Sequence, residues 1–368
     1  MVILLSSSIH SFFTFFKRDF VNQYDLSYQQ YKVLNHITSC RTPALGGFVS
    51  TCESCSTSVP LFHSCRDRHC LVCQSTQQAA WAEKQMANSL PIKYFHIVFT
   101  LPDSLNPLFL GNQKDCYSIL FKSASEAILS LSASKKFLGF TPGFTAVLHT
   151  WGQTMQYHPH LHIIIPAGGL SPDNRRFLLS SNKFFLPVKV LSSVFRGIFV
   201  KYLKQNFSLQ EDFIKSLYDK PFVINIEKPF DSPSNVIKYL ARYTHKVVIS
   251  DSRIQSFDKD TGMVTFSYKD NHDGGKQKSM TLHGLEFMRR FFMHVLPVRF
   301  IKIRHYGFLG NHSKFQRLNL CRKLLHIPKK SPPHFIKLTE KKCKICGGIL
   351  QTVHYPWTHF LDLLPKGT

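Results

Sequence analysis

Six of the ten cysteines fall in one window, CRTPALGGFVSTCESCSTSVPLFHSCRDRHCLVC (Cys40–Cys73), and this clustering constrains the fold more than any other feature. Cys52/Cys55 and Cys70/Cys73 are Cys-x-x-Cys knuckles separated by 14 residues (56–69). A knuckle lets two thiolates grip one ion, and two knuckles complete a tetrahedral shell at about 2.3 Å per Zn–S bond. The spacing therefore predicts a small domain nucleated by structural Zn²⁺ on Cys52, Cys55, Cys70 and Cys73. Cys40, Cys65 and His69, with His36 and His63, remain as candidates for a second site, or His69 replaces one cysteine. Cys343 and Cys346 repeat the knuckle as CKICGG, to be completed by His354 or His359, or else forming a simple turn.

Lys and Arg total 46 against 22 Asp and Glu, a formal net charge of +24. Such a charge attracts polyanions, so nucleic acid is the expected partner, with an anionic membrane surface as the runner-up. Hydrophobic residues at 43% supply a core and exclude a disordered chain. The longest apolar-looking stretch, Phe184–Val200, is interrupted by Lys189 and Arg196 and does not read as a membrane span. Residues 1–8 lack the basic and extended apolar regions of a secretory signal. The expectation is a cytoplasmic, nucleoid-associated protein whose cysteines bind metal rather than form disulfides.

The chain divides into three expected zones: 1–88, 90–285 and 286–368. The first opens with an apolar helical pattern (Phe12, Phe13, Phe16, Phe20) and ends in a helix over Ser75–Met86. In the second, strands are expected at Tyr94–Leu101, Phe144–His149, His160–Ile165 and Val223–Ile226. Helices are expected at Tyr117–Leu131, Leu191–Leu203 and Asn235–His245, the last introduced by Ser232 and Pro233. Two short strands follow near Lys246–Ser250 and Met263–Tyr268, with Asp260 and Gly262 in the turn. The third zone is basic: Phe287–Thr339 contains 12 Lys or Arg and no acidic residue.

The segment YHPHLHIIIPAGGL (Tyr157–Leu170) carries the chemistry. On a strand, His160 and His162 point to one face and Leu161 to the other. Two imidazoles thus converge on one ion. His149, on the preceding strand of an antiparallel pair, is the expected third ligand; His158, His96 and Gln153 are the alternatives. Imidazoles alone do not choose the metal. In NVIKYLARYTHKVVI, Tyr239 and Tyr243 are four apart on one helical face, beside a basic row of Lys238 and Arg242. A tyrosine hydroxyl is a poor nucleophile unless a base or a metal-held phosphate assists it. Arg289, Arg290, Arg304, His305 and Tyr306 mix cations with rings, as single-stranded nucleic acid requires.

The Cys40–Cys73 block, HTWGQTMQYHPHLHIIIPAGGL (His149–Leu170), YLARYTH (Tyr239–His245) and RHYGFLGNH (Arg304–His312), in that order, resemble the two-tyrosine HUH transposases. Among these the chain is most similar to the IS91 family of rolling-circle insertion sequences. The resemblance implies an α+β fold: an antiparallel HUH-type sheet flanked by helices, preceded by a small zinc-binding domain and followed by a basic C-terminal region. It implies His160 and His162 as ligands of catalytic Mg²⁺ or Mn²⁺, and Tyr239 and Tyr243 as nucleophiles. The implied substrate is single-stranded DNA of transposon ends and target, with host replication proteins as further partners and no membrane. The absence of a GxxxxGK[ST] motif agrees with chemistry that needs no ATP. The competing readings are a plasmid-type replication initiator or relaxase, and a catalytically inactive zinc-dependent DNA-binding remnant.

Overall fold

The computed structural model describes residues 8–180, 185–237, 248–270, 273–328 and 342–353. Tyr239, Tyr243, Lys238, Arg242, His354 and His359 lie outside the described residues. In chain order the helices are α1 (Ser8–Gln23), α2 (Tyr28–Ser39), α3 (Leu71–Ala87), α4 (Asn106–Gly111), α5 (Gln113–Ala133), α6 (Val188–Asn206), α7 (Glu211–Asp219), α8 (Gly284–Phe292) and α9 (Lys314–Leu324). The strands are β1 (Gly47–Cys52), β2 (Ser58–Phe62), β3 (Tyr94–Thr100), β4 (Thr141–Trp151), β5 (Tyr157–Pro166), β6 (Gly168–Leu170), β7 (Phe177–Leu179), β8 (Ile224–Ile226), β9 (Ile254–Phe257), β10 (Met263–Asp270), β11 (Lys276–His283), β12 (Ile303–Gly307) and β13 (Leu350–Val353). Among the described residues no helix is long and apolar enough to cross a membrane.

The chain forms two compact units, and neither is continuous. One contains the described residues up to Gln77, Ile249–Val295 and 342–353; the other contains Gln78–Val248 and 296–328. These units do not follow the three consecutive zones read from the sequence. Strand pairing is the reason: β12 pairs with β4, and β13 pairs with β1, each across more than a hundred residues.

In the first unit, α1 buries Phe12, Phe13, Phe16 and Phe20, as its apolar spacing requires. Phe12 meets Phe257 and Phe287 edge-on at 5.0 and 5.1 Å, and Phe13 meets Phe291 at 5.0 Å. Ser27 starts α2 with a reciprocal cap, in which Gln30 N donates to Ser27 Oγ and Ser27 N donates to Gln30 Oε1. Two three-stranded sheets complete the unit, in the orders β13-β1-β2 and β11-β10-β9. The strand before the Asp260–Gly262 turn is Ile254–Phe257; of the strand expected near Lys246–Ser250, Lys246 and Val247 lie outside the described residues. Residues 248–250 are irregular and Asp251–Arg253 forms a 3₁₀ turn, so the hairpin closes later than the apolar Val-Val-Ile run suggests.

The second unit is built on an antiparallel sheet of seven strands, with β4, β5 and β3 central, β8 beyond β3, β12 on the other edge of β4, and β6 and β7 extending one end. The register pairs His149 with His160, Val147 with His162 and Thr145 with Ile164. It continues with Val98 opposite His162 and His96 opposite Ile164. Residues opposite one another share a sheet face. One face therefore carries His149, His160, His162, His96, Ile164 and Tyr94. The other face carries Phe99, Tyr157 and Leu161 and is covered by helices: Phe99 meets Phe195 of α6 at 4.9 Å, and Tyr157 Oη lies 2.6 Å from Tyr117 Oη of α5. Burial of both faces explains the unbroken Ile163–Ile165 run. This is the α+β, antiparallel architecture expected from the sequence.

Candidate metal and nucleic-acid site

His160 and His162 lie on one face of β5, as strand alternation dictates, and β4 sets His149 directly opposite His160. The ligand nitrogens of these three buried residues all lie within 4.8 Å of one another. Burial pushes His160 down to about 4 and His162 well below the ordinary histidine range, so both are neutral at neutral pH.

The hydrogen bonds select the tautomers. His160 Nδ1 lies 2.7 Å from the His158 carbonyl, which only accepts, so the proton sits on Nδ1 and Nε2 presents a lone pair. His162 Nδ1 lies 2.9 Å from His96 Nε2, and His96 Nδ1 lies 3.0 Å from Glu227 Oε2. The carboxylate favours the proton on His96 Nδ1. With that proton on Nδ1, His96 Nε2 accepts from His162 Nδ1–H, and His162 also presents a lone pair on Nε2. His160 Nε2 and His162 Nε2 are 3.1 Å apart. Two lone pairs aimed at each other at that distance in a buried site are relieved by a shared cation, so the donor set fits a metal ion. A carboxylate behind a ligand histidine is a common supporting arrangement.

His96, an alternative ligand in the sequence reading, thus stands behind His162. Glu227 was not anticipated at all; its only signal was its position directly after the Val223–Ile226 strand, whose residues Ile224–Ile226 pair with β3. His158 is outside the three-histidine group, with its Nδ1 3.4 Å from Asp103 Oδ1.

The cysteines regroup. Cys52/Cys55 and Cys70/Cys73 do not share a shell. Cys40, Cys65, Cys70 and Cys73 form one group and Cys52, Cys55, Cys343 and Cys346 another, the four sulfurs of each lying within 4.8 Å of one another. The β1–β2 hairpin is the cause. It carries Cys52 and Cys55 to its tip, while Cys40 and Cys65 flank its open end, where Gly47 pairs with Phe62. The five-residue climb from Gly47 to Cys52 is about 17 Å, too far for one ion. In the first group Cys73 Sγ lies 3.7 Å from both Cys40 Sγ and Cys65 Sγ. Hydrogen bonding with Cys40 holds the Cys73 thiol well below its ordinary range and pushes Cys65 well above. His69 is not in the cluster. Its Nδ1 lies 3.0 Å from Asp67, which also meets His36 Nδ1 at 2.8 Å. Burial would raise the Asp67 carboxyl, but these hydrogen bonds outweigh it and hold the group well below the usual range.

The residues expected to touch nucleic acid separate by strand parity and by local pairing. His305 is opposite Thr145, on the histidine face, with Nδ1 2.9 Å from Thr145 Oγ1. Burial and the charges of Lys314 and Lys84 push it down to about 4. Arg304 and Tyr306 point to the other face. The Arg304 guanidinium lies 4.3 Å from the Phe121 ring centroid of α5, and Tyr306 stacks on Phe144 at 5.1 Å. Arg289 and Arg290 in α8 are held by Glu286, one residue before the acid-free stretch, at 2.6 and 2.8 Å. Hydrogen bonds from Arg289 and then Arg290 bring the Glu286 carboxyl down to about 2.

Comparisons with known proteins match both the cysteine-rich and the histidine-bearing parts of the chain. A family model described as "Transposase zinc-binding domain" matches residues 12–101, and one described as "Putative transposase" matches residues 143–317. A protein of Sinorhizobium fredii named "Putative transposase y4qJ" is 41% identical over 353 residues, which is 89% of this chain and 88% of the relative. The chain belongs to the IS91 transposase family. The transposase for insertion sequence element IS801 of Pseudomonas savastanoi pv. phaseolicola is 27% identical over 341 residues, 86% of this chain and 82% of that protein. No solved structure matches the chain. As a transposase the protein acts on DNA, and its N-terminal zinc-binding domain contains the Cys40, Cys65, Cys70 and Cys73 donor set.

Proposed function

We propose that this transposase cuts and rejoins single-stranded DNA at insertion-sequence ends through a 5′-phosphotyrosine, in rolling-circle transposition. The observation that carries the reading is the trio of buried histidines on one sheet face, their ligand nitrogens all within 4.8 Å of one another. A second feature supports it. Helical residues 233–237 begin with Asn235 N donating to Ser232 Oγ, and Val236 and Ile237 pack with Tyr94 and Ile164 of the histidine face. Tyr239 follows two residues later.

His149, His160 and His162 would hold Mg²⁺ or Mn²⁺, which polarises the scissile phosphate when bound. Tyr239 or Tyr243 Oη attacks phosphorus, the P–O3′ bond breaks, the phenol loses its proton and the departing oxygen gains one. The bond energy is kept in the phosphotyrosine, and the second tyrosine serves the later strand transfer. Lys238, Arg242 and His305 contact the strand's phosphates, together with surface cations of the basic C-terminal region. The reaction takes place in the cytoplasm at the nucleoid, with host replication proteins restoring the duplex.

The test mixes purified protein, Mn²⁺ and labelled single-stranded oligonucleotides from the element's ends, followed by a denaturing gel. A covalent adduct is expected that disappears in Tyr239→Phe/Tyr243→Phe and with EDTA. Cleavage that persists in the double variant overturns the tyrosine mechanism. Tight binding without any adduct favours an inactive remnant.

A further inference from the structure

The second cysteine group draws on both ends of the chain. Cys52 and Cys55 sit at the tip of the β1–β2 hairpin, inside the zinc-binding-domain match. Cys343 and Cys346 lie beyond the residues matched by either family model. Cys52 Sγ is 3.4 Å from Cys346 Sγ, and Cys55 Sγ is 3.8 Å from Cys343 Sγ, across sequence separations of 294 and 288 residues.

The two halves are built alike. In each, the N–H four residues after the first cysteine donates to that cysteine's carbonyl: Ser56 N to Cys52 O at 3.0 Å, and Gly347 N to Cys343 O at 2.9 Å. In each, that residue turns the chain with a positive φ, 56° at Ser56 and 77° at Gly347. Ile345 N also lies 3.4 Å from Cys343 Sγ, a contact that offsets thiolate charge. The halves meet so closely that a Cβ on Gly348 would come within 3.0 Å of Cys52 Sγ. Backbone pairing continues the contact, since β13 adds to β1 with Cys52 opposite Leu350 and Val49 opposite Val353.

We propose that Cys52, Cys55, Cys343 and Cys346 form a second tetrathiolate Zn²⁺ site that clasps the C-terminal segment onto the N-terminal hairpin. Four sulfurs from two facing knuckles make a closed tetrahedral shell with no open position, which is the mark of a structural ion. The zinc module is thus completed by residues that arrive at the far end of the chain, and the N-terminal match alone contains half of this site.

The probe is Co²⁺ replacing zinc in the full-length protein, read by sulfur-to-cobalt charge transfer, which counts thiolate ligands and is blind to the histidines. Wild type is expected to take up two thiolate-bound cobalt ions per chain. Cys343→Ser/Cys346→Ser should take up one, with half the charge-transfer intensity. Cys65→Ser/Cys73→Ser should also fall to half, through loss of the other site. Amide exchange provides a readout that does not need the variants: removal of the metal should speed exchange at β13 and at the β1 amides facing it. One thiolate-bound ion in wild type, or two retained in Cys343→Ser/Cys346→Ser, overturns the proposal. So does unchanged exchange along β13 after metal removal.

Discussion

Removing the support behind His162 tests the metal-site reading at a point remote from any tyrosine. Glu227 reaches His162 through His96, at 3.0 and 2.9 Å. Loss of an outer partner of a ligand histidine costs about 10–100-fold in metal affinity, or about 1.4–2.7 kcal/mol. The Glu227 side chain is 34% exposed, so water can partly replace it, and Glu227→Ala belongs at the low end, about tenfold. His96 is fully buried and stacks on His162 at 5.1 Å with 9° between the rings. His96→Phe keeps the bulk but strands the His162 Nδ1–H, and belongs at the high end, about 100-fold. The assay is Mn²⁺ titration by calorimetry or by electron paramagnetic resonance, on folded protein checked by circular dichroism. Because Glu227 acts through His96, Glu227→Ala should add almost nothing in the His96→Phe background. Independent, additive losses would refute the relay. Unchanged Mn²⁺ affinity in Glu227→Ala, alongside loss of binding in His162→Ala, would show that the carboxylate does not orient the ligand. Failure of wild type to bind Mn²⁺ would refute the metal site itself.

Other outcomes follow from packing and burial. Gly307 has a φ of 59°, and a Cβ there would run into the Pro142 carbonyl, so Gly307→Ala should detach β12 from β4 and cost about 3 kcal/mol in urea unfolding. Phe13→Ala empties a fully buried position against Phe291 and Phe292 and should cost about 3–5 kcal/mol by the same measurement. His305 titrates at about 4 in the folded chain and about 6.5 when unfolded. Between those values the unfolded chain binds the extra proton, so stability should fall as pH drops from about 6.5 toward 4. That part of the slope should vanish in His305→Gln, as read from thermal melts across the range.

What was legible in the sequence is what neighbouring residues decide. The histidine pair on β5, its apolar anchor and the strand bearing His149 follow from parity and from a short antiparallel connection. The Phe-rich first helix follows from its 3.6-residue period. What escaped was decided at long range. The knuckle spacing says that Cys52 and Cys55 bind together, but nothing local says that their partners lie nearly three hundred residues away. The same limit hid Glu227, which matters only because β8 pairs with β3. It also hid which way Arg304, His305 and Tyr306 face, since only pairing to β4 fixes the parity of β12. The pairing of Arg289 and Arg290 was hidden for a nearer reason, since Glu286 stands one residue outside the stretch counted as purely basic.

The discontinuous first unit has a consequence for the protein's synthesis. Its opening helices and hairpin leave the ribosome early, but the strand that pairs with β1 is Leu350–Val353. At about 5–20 residues per second, the 288 residues separating Cys55 from Cys343 take roughly 15–60 s to be made. During that interval the exposed edge of β1 and two thiols wait for partners that do not yet exist. A message cut short before the codons of Cys343–Val353 yields a chain with that edge open. Translation through Val353 is therefore built into the folding of this unit, and copies that stop short of it lack its closing strand.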